Sequence, residues 1–349
     1  MERQYIMIQQ NKDNHYIPKM YLKNWCLDGT TTVWMYRRLV SHKNVEWWKQ
    51  QSINGTAYLP DLYSHVQQGE TTDEFERWLN HEVETPAKPV FEKVLTGSVL
   101  SDKELLALLR FTAVQIVRTP AYYINNYENW LQTLPQVLTR TMEETLDRAR
   151  TAIKQGRTLP LRPKTMNSQL IPLKLSPIID SDGTTYMEAE TVVGRAMWLS
   201  HIKGMATTNV SILQKHQWHI IEAAPGIEWP TSDDPVICLN YRSDKDYNFN
   251  GGISQKNAEI LFPLSPKHLL YTYVGNKLSV EKYQRNQLFS NFVRRVILEH
   301  GFLHIYSKNR QKNMFRDCPR TVNEKEFKRI HEMLLEWHNN NAESEKEFF

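Results

Sequence analysis

The chain has 349 residues, of which 40% are hydrophobic and 23% charged, the make-up of a folded protein of one elaborate domain or two, which excludes disordered, collagen-like and coiled-coil classes. No run approaches the roughly 18 apolar residues of a spanning helix, and the opening MERQYIMIQQNKDNHY lacks a signal-peptide core, so a cytoplasmic protein with no membrane partner is expected. The formal charge is only +4, but residues 61 to 104 carry ten Asp/Glu against four Lys/Arg, whereas 140 to 174 and 308 to 329 each carry eight Lys/Arg against three Asp/Glu.

A first helix is read after His15, from Tyr16, Tyr21, Leu22 and Trp25. Phe75, Trp78, Leu79 and Val83 mark a helix that Pro86 and Pro89 should kink or end. Ser101 and Glu104 form a capping box ahead of Leu105, Leu108, Phe111, Val114 and Val117, which predicts a helix stopping at Arg118-Thr119-Pro120. A longer helix is expected from about Ile124 towards Gln155. Residues 156 to 187 hold Gly156, Pro160, Pro163, Pro172, Pro177 and Asp180-Ser181-Asp182-Gly183, the signals of a connector or a two-strand excursion. A helix is expected over 188 to 215, then strands at 218 to 222, 236 to 239, 260 to 263, 269 to 274 and 303 to 306. Helices at 283 to 299 and 324 to 338 should flank the last strand, with the acidic tail from Glu343 frayed. The expected fold is α+β: a helical part over 1–155, a Pro-rich connector over 156–187 and an α+β part over 188–349. Its helical N-terminal half should pack on a mostly antiparallel or mixed sheet from the C-terminal half, the whole forming one integrated domain with a shared site.

Three segments could carry chemistry. His15 lies in a run dense in aromatic and polar groups, where it acts as base or ligand, or else caps a helix. Gln115 and Arg118 share a helix face; Arg118 suits a bidentate clamp on phosphate or carboxylate, or a buried ion pair with Glu84. Thr231-Ser232-Asp233-Asp234-Pro235 could offer oxygen ligands to a divalent cation, or be turn chemistry; adjacent strand residues face opposite ways, so Asp233 and Asp234 chelate jointly only if the turn breaks that alternation. His216 with His219 and His300 with His304 lack a common face and read as structural. Cys26, Cys238 and Cys318 form no C-x-x-C pair, so neither a disulfide framework nor a structural zinc site is expected. P-loop, Rossmann, zincin and nucleophile-elbow motifs are absent, and Glu259-Ile260-Leu261 lacks the lysine of a D…E-x-K nuclease centre.

Together these segments resemble the bacterial domain-of-unknown-function family 4238. HYIPKMYLKNW is similar to its H-Y-V-P-x-x-Y-L-x-x-F opening, Trp78-Leu79 with Glu84 to its I-E-x-x-A helix, and Gln115 to Pro120 to its Q-x-x-R-T-P. Thr231 to Val236 is similar to its T-S-D-N-P-V and Phe262 to Pro266 to its F-P-L-S-P, while Asn286 matches its late asparagine. The resemblance spans about 14 to 307, with Ile17 for valine, Trp25 for phenylalanine and Asp234 for asparagine. It implies an intracellular protein of bacterial or phage-related origin and carries no established reaction; the family's asparagine in the place of Asp234 favours Asp233 as the single carboxylate.

The expectation is a hydrolase of a phosphate-containing substrate, nucleic acid or nucleotide, of nuclease or phosphohydrolase type. His15, Glu84 and Asp233 would be catalytic, with Gln115, Arg118 and Ser232 binding substrate and a divalent cation as an optional cofactor. The alternative is a non-catalytic nucleic-acid-binding or protein-interaction module held through the basic segments.

Overall fold

The computed structural model describes residues 13–67, 70–157, 173–179, 181–183, 185–311 and 313–348. A five-stranded antiparallel sheet lies at its centre, in the order His219–Glu222, His268–Tyr273, Ala258–Pro263, Ile237–Ser243 and Asp246–Asn248. Alternation along these strands sorts two cores. Ile260, Phe262 and Leu270 face a helical layer that includes Phe91, Phe111 and Trp198, whereas Leu261, Leu269 and Tyr271 face Val293, Val296 and Ile297 of the Gln287–His300 helix. With both faces covered, the strands read as nearly continuous apolar runs.

A second antiparallel sheet joins the ends of the chain: Thr231–Ser232, His304–Ser307, Thr32–Arg37 and Trp48–Ser52 in that order. Sequence reading assigned the N-terminal part to helices, so these early strands are a departure. TVWMYR alternates between sheet faces, but six residues between polar turns give only a short period-two signal. The α+β class holds, and the helical part begins in earnest at Glu74.

Other differences are local. The helix Glu74–Leu79 does not stop at Pro86 but widens through a π-turn, Asn80–Glu84, into Thr85–Leu95. Pro86 then sits in a first turn, where its missing N–H costs little. Glu188 lies in a strand of the Leu173–Ile179/Thr185–Thr191 hairpin, so the following helix starts at Arg195. Residues 158–172 of the Pro-rich connector, with Arg162 and Lys164, fall outside the described residues. The tail is helical over Trp337–Phe348, and Glu345 is buried. The Ser101–Glu104 capping box is present in both directions, and the helix it starts ends at Val117, with Pro120 opening the next. No helix among the described residues is long and apolar enough to cross a membrane.

Candidate functional site

The motif segments are tied to one another, mostly by side chains reaching backbone carbonyls. The Tyr21 hydroxyl donates to the Pro263 carbonyl at 2.7 Å and lies 2.7 Å from Thr231 Oγ1. Asn24 donates to the Leu264 carbonyl and the Trp25 indole to that of Trp229. Gln115 Nε2 donates to the Tyr16 carbonyl at 3.0 Å. These are long-range closures between buried groups, and each removes an otherwise unpaired backbone acceptor from the core.

Arg118 is the densest node. It is fully buried at the end of the Asp102–Val117 helix, and its guanidinium donates to Glu84 Oε1 at 2.8 Å, to the His15 carbonyl at 2.7 Å and to the Tyr63 hydroxyl at 3.3 Å. Of the two readings left open by sequence, the ion pair with Glu84 is formed. A phosphate cannot reach a guanidinium with no exposed surface, so the geometry gives no support to Arg118 as an open clamp. A second carboxylate that sequence reading missed, Glu76, is pushed up to about 7 by burial against the opposing pull of Arg118. The π-turn between the two glutamates changes their helical phase, which hides the pairing from a 3.6-residue count.

His15 ends the Asp13–His15 strand, opposite Tyr58, with its ring 5.4 Å from the Tyr58 ring. Burial lowers its pKa, with the nearby Lys19 charge acting the same way, so the imidazole is neutral at pH 7. His15 Nε2 and Gln115 Oε1 are buried without a partner among the described residues. Thus Gln115 and Arg118, the latter paired with Glu84, hold the backbone of His15 and Tyr16 in a largely buried network, while the His15 ring itself lies against Tyr58.

Ser232 serves its own turn, its hydroxyl donating to the Asp234 carbonyl at 2.8 Å and accepting from the Asp234 amide. Asp233 is nearly buried, and its two oxygens accept from the amides of Phe302, Leu303 and His304 at 2.9, 2.7 and 3.0 Å. Three successive N–H groups thereby wrap the carboxylate, an anion nest made by the chain's own loop. Gly301 lets that loop close: a Cβ there would clash with the Ile305 side chain and stand 2.9 Å from Ser232 Cβ.

Both histidines set aside in the sequence meet these aspartates. His304 Nδ1 lies 3.6 Å from Asp233 Oδ2, and His300 Nε2 lies 3.7 Å from Asp234 Oδ2. His300 Nδ1 donates to the Asp234 carbonyl at 3.0 Å. Asp234 Oδ1 accepts from Thr119. The two carboxylates therefore turn to different partners and form no joint chelate. Among the described residues no three His, Cys, Asp or Glu side chains group to hold a metal ion.

His304 is 28% exposed, and its ring stands beside Tyr306. In the adjacent strand its direct cross-strand neighbour is Arg37, which shares its sheet face. Arg37 is half-buried and makes no ion pair among the described residues. The clue in sequence was the coincidence of His300-Gly301-x-x-His304 with Asp233-Asp234, visible only once Thr231–Ser232 pairs with Ile305 and Tyr306. Burial first, then Tyr306 and Asp233, push the Tyr16 hydroxyl well above its ordinary value, which places the H-Y and S-D segments at one locus.

The family model described as protein of unknown function (DUF4238) matches residues 13–342. No curated protein and no solved structure matches the chain.

Proposed function

The chain belongs to the DUF4238 family, whose description names no reaction, and from that premise we propose that it is a hydrolase of a phosphate-containing substrate, nucleotide or nucleic acid, working through Asp233, His304 and Arg37. The observation that carries this reading is the placement of His304 Nδ1 3.6 Å from a carboxylate fixed by three backbone amides. At that distance there is no hydrogen bond, but a modest ring rotation brings Nδ1–H onto Asp233 Oδ2, and such pairs are often loose before substrate binds. Asp233 then orients the imidazole, and the outward Nε2 takes a proton from an attacking water. Arg37, on the same sheet face and with no ion pair among the described residues, anchors the phosphate with the planar donors that suit its oxygens.

His15 and Glu84, expected as catalytic groups, and Gln115 and Arg118, expected to bind substrate, serve in this reading as the frame that positions the Thr119–Asp234 and Asp233 segments. The second reading, a non-catalytic nucleic-acid-binding or protein-interaction module, draws on the same ties: the motif side chains reach backbone carbonyls and could serve the fold alone.

The test is turnover of a phosphomonoester, a phosphodiester, nucleotides and single- and double-stranded nucleic acid, with and without magnesium. Hydrolysis by the native chain, lost at least 100-fold in His304→Asn with an unchanged melting temperature, and a raised KM in Arg37→Gln, is the expected result. Hydrolysis untouched by His304→Asn moves the chemistry elsewhere. Absence of turnover on every substrate, joined to salt-sensitive nucleic-acid binding, replaces the enzyme with the binding module.

A further inference from the structure

The longest helix, Pro120–Lys154, has 35 residues, of which only Pro120, Ala121 and Tyr123 are buried. Beyond them it carries an apolar stripe: Leu131, Pro135, Leu138, Met142, Leu146, Ala149 and Ile153. At 100° per residue these seven fall within a band of roughly 80°. Leu131 and Leu146 are more than two-fifths exposed and Ile153 is 68% exposed. Arg140, Glu144, Asp147, Arg148 and Lys154 lie about 120–160° from its centre at Met142, and Glu143 and Arg150 flank it at about 80–100°, so nothing charged falls within the band.

The order of the stripe identifies its partner. Counted from Met142, its members stand at 4, 7 and 11 residues on either side, so the pattern reads the same in both directions. An isologous contact needs this property, because residue i meets j while j meets i. We infer that this helix pairs antiparallel with the same helix of a second copy, about a two-fold axis at Met142. Leu131 then meets Ile153, Pro135 meets Ala149, Leu138 meets Leu146, and Met142 meets itself. Large pairs alternate with the small Pro135–Ala149 pair, as interdigitating helices require. The spacing averages about 3.67 residues per turn, at which a stripe stays on one side of a nearly straight helix.

Charge argues against other occupants. From 131 to 154 the helix carries four basic and three acidic residues, too balanced to draw it to nucleic acid or an anionic lipid surface. The stripe is about 33 Å long and one helix wide, near the small end of specific interfaces, so the association is expected to depend on concentration.

The full chain is therefore examined by light scattering across a hundredfold range of concentration. The mass is expected to rise towards that of two copies, while the double variant Leu138→Glu with Leu146→Glu stays at one copy with an unchanged circular dichroism spectrum. Met142→Cys should give a disulfide-linked dimer on mild oxidation, and Arg140→Cys, on the opposite side of the helix, should not; the native chain, with Cys26, Cys238 and Cys318 free, is the blank. A native mass of one copy throughout, a double variant that associates as tightly as the native chain, or equal cross-linking at 140 and 142 would each overturn the pairing. Neither His304 nor Arg37 takes part, so these results stand apart from the hydrolase test.

Discussion

Thr119 Oγ1 donates to Asp234 Oδ1 at 3.0 Å and accepts from the Tyr122 amide at 3.2 Å. One hydroxyl thus caps the helix Pro120–Lys154 and fastens it to the segment carrying Asp233. The cap therefore satisfies a helix-end amide and also fixes where two parts of the fold meet.

Asp234→Asn should stabilise the protein at neutral pH. Burial pushes the Asp234 carboxyl up to about 6, with His300 and the Thr119 hydroxyl only partly offsetting it. Its pKa is near 3.9 when unfolded. Between about pH 4 and 6 the unfolded chain therefore releases a proton that the native chain keeps, so the native state loses stability as pH rises through that window and does not regain it above. Asparagine keeps an acceptor for Thr119. Its amide also stands beside His300 Nε2, which lies 3.7 Å from Asp234 Oδ2. Chemical denaturation at pH 7 should show a gain of about 1–3 kcal/mol, with a flatter slope between pH 4 and 6. An unchanged slope would mean that Asp234 is already ionised at the acid end.

Arg118→Lys should unfold more easily than the native chain. A lysine keeps one charge near Glu84 but cannot also reach the His15 carbonyl and the Tyr63 hydroxyl, and a buried ion pair that loses a partner costs about 3–5 kcal/mol. We expect a loss of about 2–4 kcal/mol in a denaturant titration. A lysine variant of native stability would show that the three bonds of Arg118 are redundant.

How much of this was legible beforehand depends on the range of the signal. The capping box at Ser101, the stop at Thr119-Pro120 and the main strands after 218 are written in adjacent residues. The encounter of His304 with Asp233 is not, because it depends on antiparallel pairing between Thr231–Ser232 and Ile305–Tyr306, distant in sequence, and on a loop that Gly301 lets close. Arg37 was hidden for a similar reason, being a basic residue at the end of a strand that sequence reading did not find. The Arg118–Glu84 pair was readable as one of two alternatives, and only burial decides between them. Glu345 was misjudged by composition: a charged tail normally frays, but this one has a buried arginine to meet.

Gly301→Ala should cost about 1–3 kcal/mol, the range for overpacking a tight interior. The backbone angle at 301 is ordinary, so strain in φ is not the cause. The added methyl would press on Ile305 and on Ser232 Cβ, forcing the loop off Asp233. Loosened amides at 302–304 should exchange faster with solvent deuterium than those of the neighbouring Gln287–His300 helix. Unchanged protection at all three would show that the loop accommodates the methyl elsewhere.

Deleting residues 343–349 should destabilise the whole protein although the family match ends at 342. Arg195 is fully buried, and its Nε and Nη2 donate in parallel to the two oxygens of Glu345 at 3.0 and 2.6 Å. Its Nη1 reaches the Asp61 carbonyl at 3.2 Å and lies 2.9 Å from His338 Nδ1. Burial first, and then the Arg195 charge, lower the His338 pKa, so the histidine stays neutral and accepts. Removing Glu345 leaves a cation in the interior with two donors unmet, a loss of about 3–5 kcal/mol. Trp337, whose indole donates to the Leu62 carbonyl, remains in the shortened chain and should keep the start of the last helix in place, so the loss is expected in stability before it is seen in shape. Adding Arg195→Met to the deletion removes the stranded charge and should recover part of the melting temperature. If the shortened chain melts with the full chain, the Arg195–Glu345 pair holds nothing, and if Arg195→Met lowers stability further, the arginine acts through Asp61 and His338 instead.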